Sequence, residues 1–331
     1  MLHEKSDHVR NGMGISETCL ELQLLLERAV ARNLAPAMLL SGGLDTSILA
    51  SIGSRHASLK AFTVAFDEAE APDLRYAGRV AKHLGLEHSI HLFSRTEVLQ
   101  TVPQVIEVVH SFDPMEIRND LPIFIALKHV KSSRLGAVMA GDGCDELFAG
   151  YSFFFDYSEE QLRLELGKMW RVMEFSSIAL GEALGVEVKL PFFDPEVKAF
   201  AMKLSPSYLI RGAKGQRQGK WILRKTFEDV LPKEVVWRVK TPIEYGTGTT
   251  ILPRIFDSKI PDEEFNRKRK KYLDEDRVAL RNKEQLFYYE AYRAVVGVPH
   301  AEAPSAKSCP MCNSNVHVGG SYCRTCGAYP I

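Results

Sequence analysis

Seven residues constrain this chain more than any others: Ser41-Gly42-Gly43-Leu44-Asp45-Thr46-Ser47. The apolar run Ala37-Met38-Leu39-Leu40 leads into them, and Ile48-Leu49-Ala50-Ser51-Ile52 leads out. An apolar run, a glycine turn and a helix-compatible run read as strand, turn and helix. That geometry aims unpaired backbone N–H groups and the positive end of a helix at an anion. Two glycines permit tight curvature and close ligand approach. Ser41, Thr46 and Ser47 add hydroxyl donors. No lysine follows the glycines, so this is not the G-x-x-x-x-G-K-[ST] phosphate loop. Asp45 instead sets a carboxylate beside the anion, which suits a hard cation such as Mg²⁺ bridging carboxylate and phosphate. The plain alternative is a strand-to-helix turn built of small residues.

The pattern around this stretch points to an α/β fold. Strand-like runs at 59–66, 87–93 and 135–140 alternate with helical patterns at 73–84, 97–110 and 122–131. Such alternation predicts a parallel sheet with helices on both faces, in which ligands bind at the carboxyl ends of the strands. The fourth strand runs into Gly141-Asp142-Gly143-Cys144-Asp145-Glu146, where three acids crowd one glycine turn. Crowded carboxylates repel, and a bound cation relieves them. The other reading is an acidic helix start that complements the helix dipole. Beyond Gly150, helical patterns at 159–185, 194–203, 218–230 and 282–296 predict a helical half packed on the sheet, within the same domain. The basic run 267–271 is flanked by acids and reads as a solvated helix face. Residues 1–15 read as a loose, disordered tail, and 299–308 as a linker by composition.

Lys+Arg and Asp+Glu are both 42, so no global field favours nucleic acid or a membrane surface. No apolar run approaches the roughly 20 residues that span a bilayer, and the first residues lack a signal-peptide core. The expectation is a cytoplasmic protein without a membrane partner. Four of the six cysteines form C-x2-C-x10-C-x2-C at Cys309, Cys312, Cys323 and Cys326. Two such knuckles make a closed tetrahedral site, which predicts structural Zn²⁺ in a small zinc ribbon over 309–331. Gly319-Gly320 and Gly327 suit its turns. At about 23 residues the ribbon needs metal to fold. Its candidate partners are a protein, an RNA, or the rest of this chain.

The two glycine-and-carboxylate turns together resemble the synthetase domain of the asparagine synthetase family, within the ATP-pyrophosphatase superfamily. The resemblance continues through Pro72-Asp73 to Gly85, through Ile117-Arg118 and Pro122, and through Gly185-Val-Glu-Val-Lys-Leu-Pro-Phe-Phe-Asp194. Further on, Lys220-Trp-Ile-Leu-Arg224 with Leu231-Pro232 is similar to its K-x-x-L-R…L-P. Arg238-Val-Lys240 to Gly246-Thr-Gly248 is similar to its R-x-K…G-x-G, and Lys283-Glu284 with Tyr288-Tyr289 to its last helix. The match runs over about 35–297, in order, and implies an ATP-pyrophosphatase domain over 16–298.

That resemblance implies an ATP- and Mg²⁺-dependent ligase. It adenylates a carboxylate, aspartate first among the candidates, and ammonia then displaces AMP to give an amide. Carried over, Ser41, Gly42, Gly43, Asp45, Thr46 and Ser47 would hold the pyrophosphate end. Asp45 and Asp145 would bind Mg²⁺. Leu40, Val64 and Gly141 would contact adenosine. Lys240 would stabilise charge at the α-phosphate. Asp142 stands where the family has a glutamate linked to the ammonia step, one methylene longer. Arg118 is a candidate for gripping a substrate carboxylate through its bidentate fork; the other reading is a buried helix-capping arginine.

Two departures stand out. Glutamine-dependent members carry an N-terminal glutaminase whose cysteine follows the initiator methionine, whereas position 2 here is Leu2 and 40 residues precede the loop. Cys19 lies in an amphipathic pattern and reads as a packed thiol. The expectation is therefore free ammonia, or ammonia from a separate glutaminase subunit. The family does not usually carry a C-terminal metal knuckle, which keeps a second function open: a tRNA or nucleic-acid modification enzyme using the same adenylation, with the ribbon docking RNA.

Overall fold

The computed structural model describes residues 14–213, 215–301, 307–316 and 320–331. Residues 1–13 of the expected tail, 302–306 of the expected linker, and Gly319 lie outside the described residues. The chain begins with α1 (Ile15–Arg32), β1 (Ala37–Leu39), α2 (Leu44–His56), β2 (Lys60–Phe66), α3 (Pro72–Leu84) and β3 (Glu87–Phe93). It continues with α4 (Arg95–Val109), α5 (Pro114–Ser132), β4 (Ala137–Met139), α6 (Cys144–Leu147), α7 (Glu159–Val172), α8 (Ser176–Leu184) and β5 (Glu187–Lys189). Short helices follow: α9 (Pro195–Ala201), α10 (Pro206–Leu209), α11 (Trp221–Phe227), α12 (Lys233–Val236) and α13 (Ile243–Thr247). The last are α14 (Leu252–Lys259), α15 (Asp262–Asp276) and α16 (Lys283–Val295).

Among the described residues the strands form one five-stranded sheet in the order β3-β2-β1-β4-β5, with every pair parallel. Helices cover both faces. On one face Leu26 of α1, Leu49 of α2 and Ile222 of α11 share a core. On the other, Val102 of α4, Phe124 of α5 and Tyr288 of α16 do so, together with the four C-terminal cysteines. Double coverage explains why β2 reads as a near-continuous apolar run: every residue from Ala61 to Phe66 is buried. Cys19 is half-buried against the first of these cores. Lys268 and its exposed basic neighbours on α15 form the charged outer face, with Lys268 paired to Glu264 and Glu290. No helix among the described residues is long and apolar enough to cross a membrane.

Three local features depart from the sequence reading. The connection between the helical patterns at 159–185 and 194–203 contributes β5, which aligns Glu187 with Ala137 at the sheet edge. Three residues are too few to show a period of two. The single helix expected over 159–185 is broken at 173–175 into α7 and α8. The helix expected to start at Pro122 begins at Pro114 and runs through Pro122. Proline there cannot donate to the carbonyl four residues back. That carbonyl belongs to Arg118, and the Thr249 hydroxyl donates to it instead at 2.8 Å.

The turn between β1 and α2 explains its first glycine. Gly42 has φ +68°, and a Cβ there would collide with the backbone of Tyr76 and Ala77 in α3. The glycine thus lets α3 lie directly against the turn. Gly42→Ala should destabilise the fold by at least about 1–3 kcal/mol from backbone strain alone, before the collision adds to it. Urea denaturation of the two proteins checks this, and equal midpoints would refute it.

Candidate active site

The strand order reverses between β1 and β4, because the chain moves from β1 outward to β2 and β3 and then returns to the other side. The carboxyl ends of β1 and β4 therefore flank a crevice, where open α/β sheets bind ligands. The turns after these two strands are the two glycine-and-carboxylate turns. They touch: a Cβ on Gly141 would lie 3.1 Å from Thr46 Cγ2 and 3.3 Å from Asp45 Cβ.

A cavity of about 260 Å³ opens at this point. Ser41, Gly43, Asp45 and Thr46 line it from the first turn, and Gly141, Asp142 and Asp145 from the second. Helix α2 starts there, so its first N–H groups lack intrahelical acceptors and face the crevice. Inside the turn, the Ser41 and Thr46 hydroxyls lie 3.2 Å apart and Gly43 N–H donates to Ser41 Oγ at 3.2 Å. The loop is held in shape by its own side chains. Two expected residues sit behind it. Gly42 packs against α3, and the fully buried Ser47 hydroxyl donates to the Gly43 carbonyl at 2.6 Å.

Apolar side chains form the opposite wall, among them Leu40, Phe62, Val64, Pro122 and Ala126. The backbone adds polar groups to this wall. Leu40 N–H donates to the Phe62 carbonyl at 2.8 Å, so alternate residues of β2 direct their backbone groups toward β1. Because β1 ends at Leu39 and β2 continues to Phe66, the Val64 N–H and C=O point past the end of β1. An apolar slot edged by a free donor and acceptor suits a flat heterocycle such as adenine.

Four charged groups converge between the two turns. Lys220 Nζ donates to Asp45 Oδ1 and Oδ2 at 2.7 and 2.6 Å and lies 2.7 Å from Asp145 Oδ1. Lys240 Nζ donates to Asp145 Oδ2 at 2.7 Å. The Lys220 side chain is only 4% exposed. Burial by itself would raise the Asp145 carboxyl, but the two ammonium groups outweigh it and hold Asp145 well below the usual range. Burial likewise works against the Lys220 ammonium, and Asp145 and Asp45 overcome it and raise the lysine above its ordinary value. Gly150 permits this contact, since a Cβ there would collide with Asp145 Oδ1 and the Lys220 stem. Asp45 and Asp145 aim at one cation already, and their hard oxygens fit Mg²⁺.

Arg238 ties the lysine-bearing segment to the first turn. Its Nη2 donates to the buried Asp73 at 2.7 Å, its Nη1 to the Ser41 carbonyl at 3.2 Å, and its guanidinium lies 4.1 Å from the Tyr76 ring centre. Lys240, two residues on, is positioned through it.

The family model described as asparagine synthase matches residues 21–177 and 179–310. The chain belongs to that family. A probable glutamine-hydrolyzing asparagine synthetase of Dictyostelium discoideum is 30% identical over 291 residues, covering 78% of this chain and 51% of that protein. A glutamine-hydrolyzing asparagine synthetase of Oryza sativa subsp. japonica is 32% identical over 264 residues, covering 71% of this chain and 44% of that protein. The chain thus spans about half the length of these relatives. Among solved structures, the NMN synthetase of Francisella tularensis aligns over 88% of this chain and 99% of its own, at 13% identity and a TM-score of 0.40, too distant to carry an argument.

Within this member of the asparagine synthase family, Arg118 does not do what a substrate clamp requires. Its Nε donates to Glu244 at 2.5 Å and its Nη1 to Glu284 at 2.8 Å, and it does not line the cavity. Tyr288 OH holds the other oxygen of Glu284 at 3.0 Å. The fork is closed by the protein's own carboxylates, so Arg118 fixes α13, whose Ile243 and Thr247 wall the cavity. Lys220 and Arg238 were visible only as letters of the K-x-x-L-R and R-x-K patterns. Spacing alone offers no signal that they meet Asp45 and Asp73, which lie 175 and 165 residues away.

The four cysteine thiols all lie within 4.8 Å of one another. The Sγ atoms of Cys309 and Cys326 are 3.7 Å apart, and those of Cys312 and Cys323 3.6 Å. A tetrahedron of Zn–S bonds near 2.3 Å has S···S edges of about 3.8 Å, so the set fits zinc. The segment is docked on the sheet domain. Phe112 N–H donates to the Thr325 carbonyl at 2.7 Å, Tyr322 OH to Asp113 at 2.6 Å, and Gln285 Nε2 to the Cys326 carbonyl at 2.9 Å. These contacts are to this chain itself, one of the three expected docking partners.

Purified protein should carry about one zinc per chain by elemental analysis, and Cys312→Ser with Cys323→Ser should abolish it and lower the melting temperature. Full zinc content in that variant would refute the assignment. Arg118→Leu should cost about 3–5 kcal/mol in urea denaturation, because Glu244 and Glu284 lose their shared cation in a buried place; a neutral effect would refute the structural role.

Proposed function

We propose that this chain is an ATP-dependent, AMP-forming amide ligase of the ATP-pyrophosphatase type. A substrate carboxylate oxygen attacks the α-phosphorus of ATP, the bond to the β-phosphate bridge breaks, and pyrophosphate leaves. Ammonia then attacks the acyl adenylate, AMP departs with the bonding pair, and the nitrogen loses a proton to give the amide. One observation carries the reading: Asp45, Asp145, Lys220 and Lys240 converge in front of a helix start, beside an apolar slot.

The roles follow from chemistry. Adenosine occupies the slot at Leu40, Val64 and Gly141. The Ser41–Thr46 turn and the start of α2 bind the pyrophosphate end. Asp45 and Asp145 hold Mg²⁺, which neutralises phosphate charge when bound. Lys240 is mobile enough to move from Asp145 to the charge that develops at the α-phosphate, since its side chain is 33% exposed. Asp142 takes a proton from the attacking nitrogen. Burial pushes its carboxyl up to about 6, against the Ser177 hydrogen bond that lowers it. A base of this kind works when deprotonated, so the ammonia step slows as pH falls through about 6.

Aspartate is the proposed acceptor and asparagine the product, supported by the names of relatives at 30–32% identity. The nitrogen arrives as free ammonia or from a separate glutaminase subunit. The RNA-modification reading has less support, because Arg324, the one basic residue of 320–331, pairs with Glu174.

With ATP, Mg²⁺, ammonium and a panel of amino-acid carboxylates, the protein should release pyrophosphate and form an amide, aspartate being the best substrate. Absence of amide with every carboxylate would sink the reading. Lys240→Ala should retain ATP binding and lose about 10²–10³-fold in pyrophosphate release. Unchanged turnover would remove Lys240 from its role.

A further inference from the structure

At the carboxyl end of β1 the hydrogen-bond ladder changes partner. Leu40 N–H donates to the Phe62 carbonyl at 2.8 Å, continuing the parallel register that aligns Leu39 with Phe62. The next rung of such a ladder would run from the Val64 N–H to the Leu40 carbonyl. Among the described residues that rung is not formed. The Thr63 hydroxyl donates to the Leu40 carbonyl instead, at 2.6 Å. Leu40 and Thr63 are only 2% and 4% exposed, so a carbonyl left bare here would be costly. The hydroxyl satisfies it, and the Val64 N–H stays unspent.

A second contact fixes the sense of that hydroxyl. His88 Nε2, on β3, lies 2.7 Å from Thr63 Oγ1. A hydroxyl has one proton, and a carbonyl can only accept. The Thr63 proton is therefore committed to Leu40, and the ring must donate to Oγ1, which places a hydrogen on Nε2. With its oxygen held by the ring N–H, the hydroxyl cannot rotate away from Leu40 without losing both bonds. Leu40, Thr63 and Val64 line the cavity, and His88 stands behind them.

We propose that His88, Thr63 and the Leu40 carbonyl form a relay that reserves the Val64 N–H for the nucleotide base and thereby sets the choice of purine. This rests on the ATP-dependent reading above. The Val64 N–H and C=O present one donor and one acceptor at the edge of the apolar slot. Adenine offers the complement, since its N1 accepts and its 6-amino group donates. A 6-oxopurine offers the reverse, N1–H and O6, and sets donor against donor and acceptor against acceptor. His88 acts through Thr63, and Thr63 through the Leu40 carbonyl, so both are positioning residues. Without the hydroxyl, the buried Leu40 carbonyl takes the Val64 N–H as its donor, and the base loses that bond.

The test is binding of ATP and of inosine triphosphate to the full chain with Mg²⁺, measured by titration calorimetry. The wild type should prefer ATP. Thr63→Val should bind ATP about tenfold more weakly, as expected for one lost hydrogen bond, and inosine triphosphate no more weakly than before. The preference for ATP should thus shrink about tenfold, whereas a mere loosening of the sheet weakens both nucleotides alike. Thr63→Ser, which keeps the hydroxyl, should keep the preference. His88→Leu, at a half-buried position that tolerates change better, should move in the same direction as Thr63→Val, and His88→Gln, which keeps a donor, should restore it. An unchanged preference in both Thr63→Val and His88→Leu, or an equal loss for the two nucleotides, would overturn the relay. A wild type that binds no ATP would overturn both the relay and the functional reading. A chain whose preference for ATP is lost in Thr63→Val, but which forms no amide from any carboxylate, would overturn the functional reading and leave the relay standing.

Discussion

Everything at the crevice depends on two aspartates meeting at one lysine. Asp45 comes from the turn after β1 and Asp145 from the turn after β4, and Lys220 joins them from α11. In bulk solution the three would repel or drift; in a buried place the ammonium offsets both carboxylates and makes their proximity tolerable. The contact also joins the sheet to the helical half. Without a cation between them, the two turns could not approach as closely as Gly141 allows.

That arrangement makes the site a balanced set of charges waiting to be rearranged. Two acids and two lysines cancel while no anion is present. In the proposed reaction a polyphosphate with its divalent ion would bring opposite charges of its own, and the lysines would turn to phosphate as the aspartates turn to metal. Arg238 takes no part in such an exchange. Held by Asp73, the Ser41 carbonyl and Tyr76, it keeps the segment that carries Lys240 in place.

Much of this could be read in the sequence. The glycine turn, the acidic turn and the alternation of strands and helices gave the parallel sheet, and the cysteine spacing gave the metal cluster. Each of those signals is local: a period, a turn or a short spacing. What escaped was long-range. Lys220 is an ordinary lysine until it is seen against Asp45. Arg118 read equally well as a clamp or as a buried prop, and only Glu244 and Glu284 decide for the prop. The first part of α5, before Pro122, escaped because a proline inside a helix looks like a boundary; Thr249 supplies the missing donor from 131 residues away. The packing of Gly42 against α3 and the bond from the Ser47 hydroxyl to the Gly43 carbonyl were not legible in the sequence.

The docked cysteine segment also sets an order of events during synthesis. The Ser111 hydroxyl donates to the carbonyl of Arg324, 213 residues later in the chain. At about 5–20 residues per second, roughly 10–40 s pass between the appearance of those two residues at the ribosome. For that interval the residues before α5 that bind the cysteine segment stand open to solvent. The nascent sheet therefore has to survive with part of one flank uncovered, and metal capture follows the synthesis of every sheet strand.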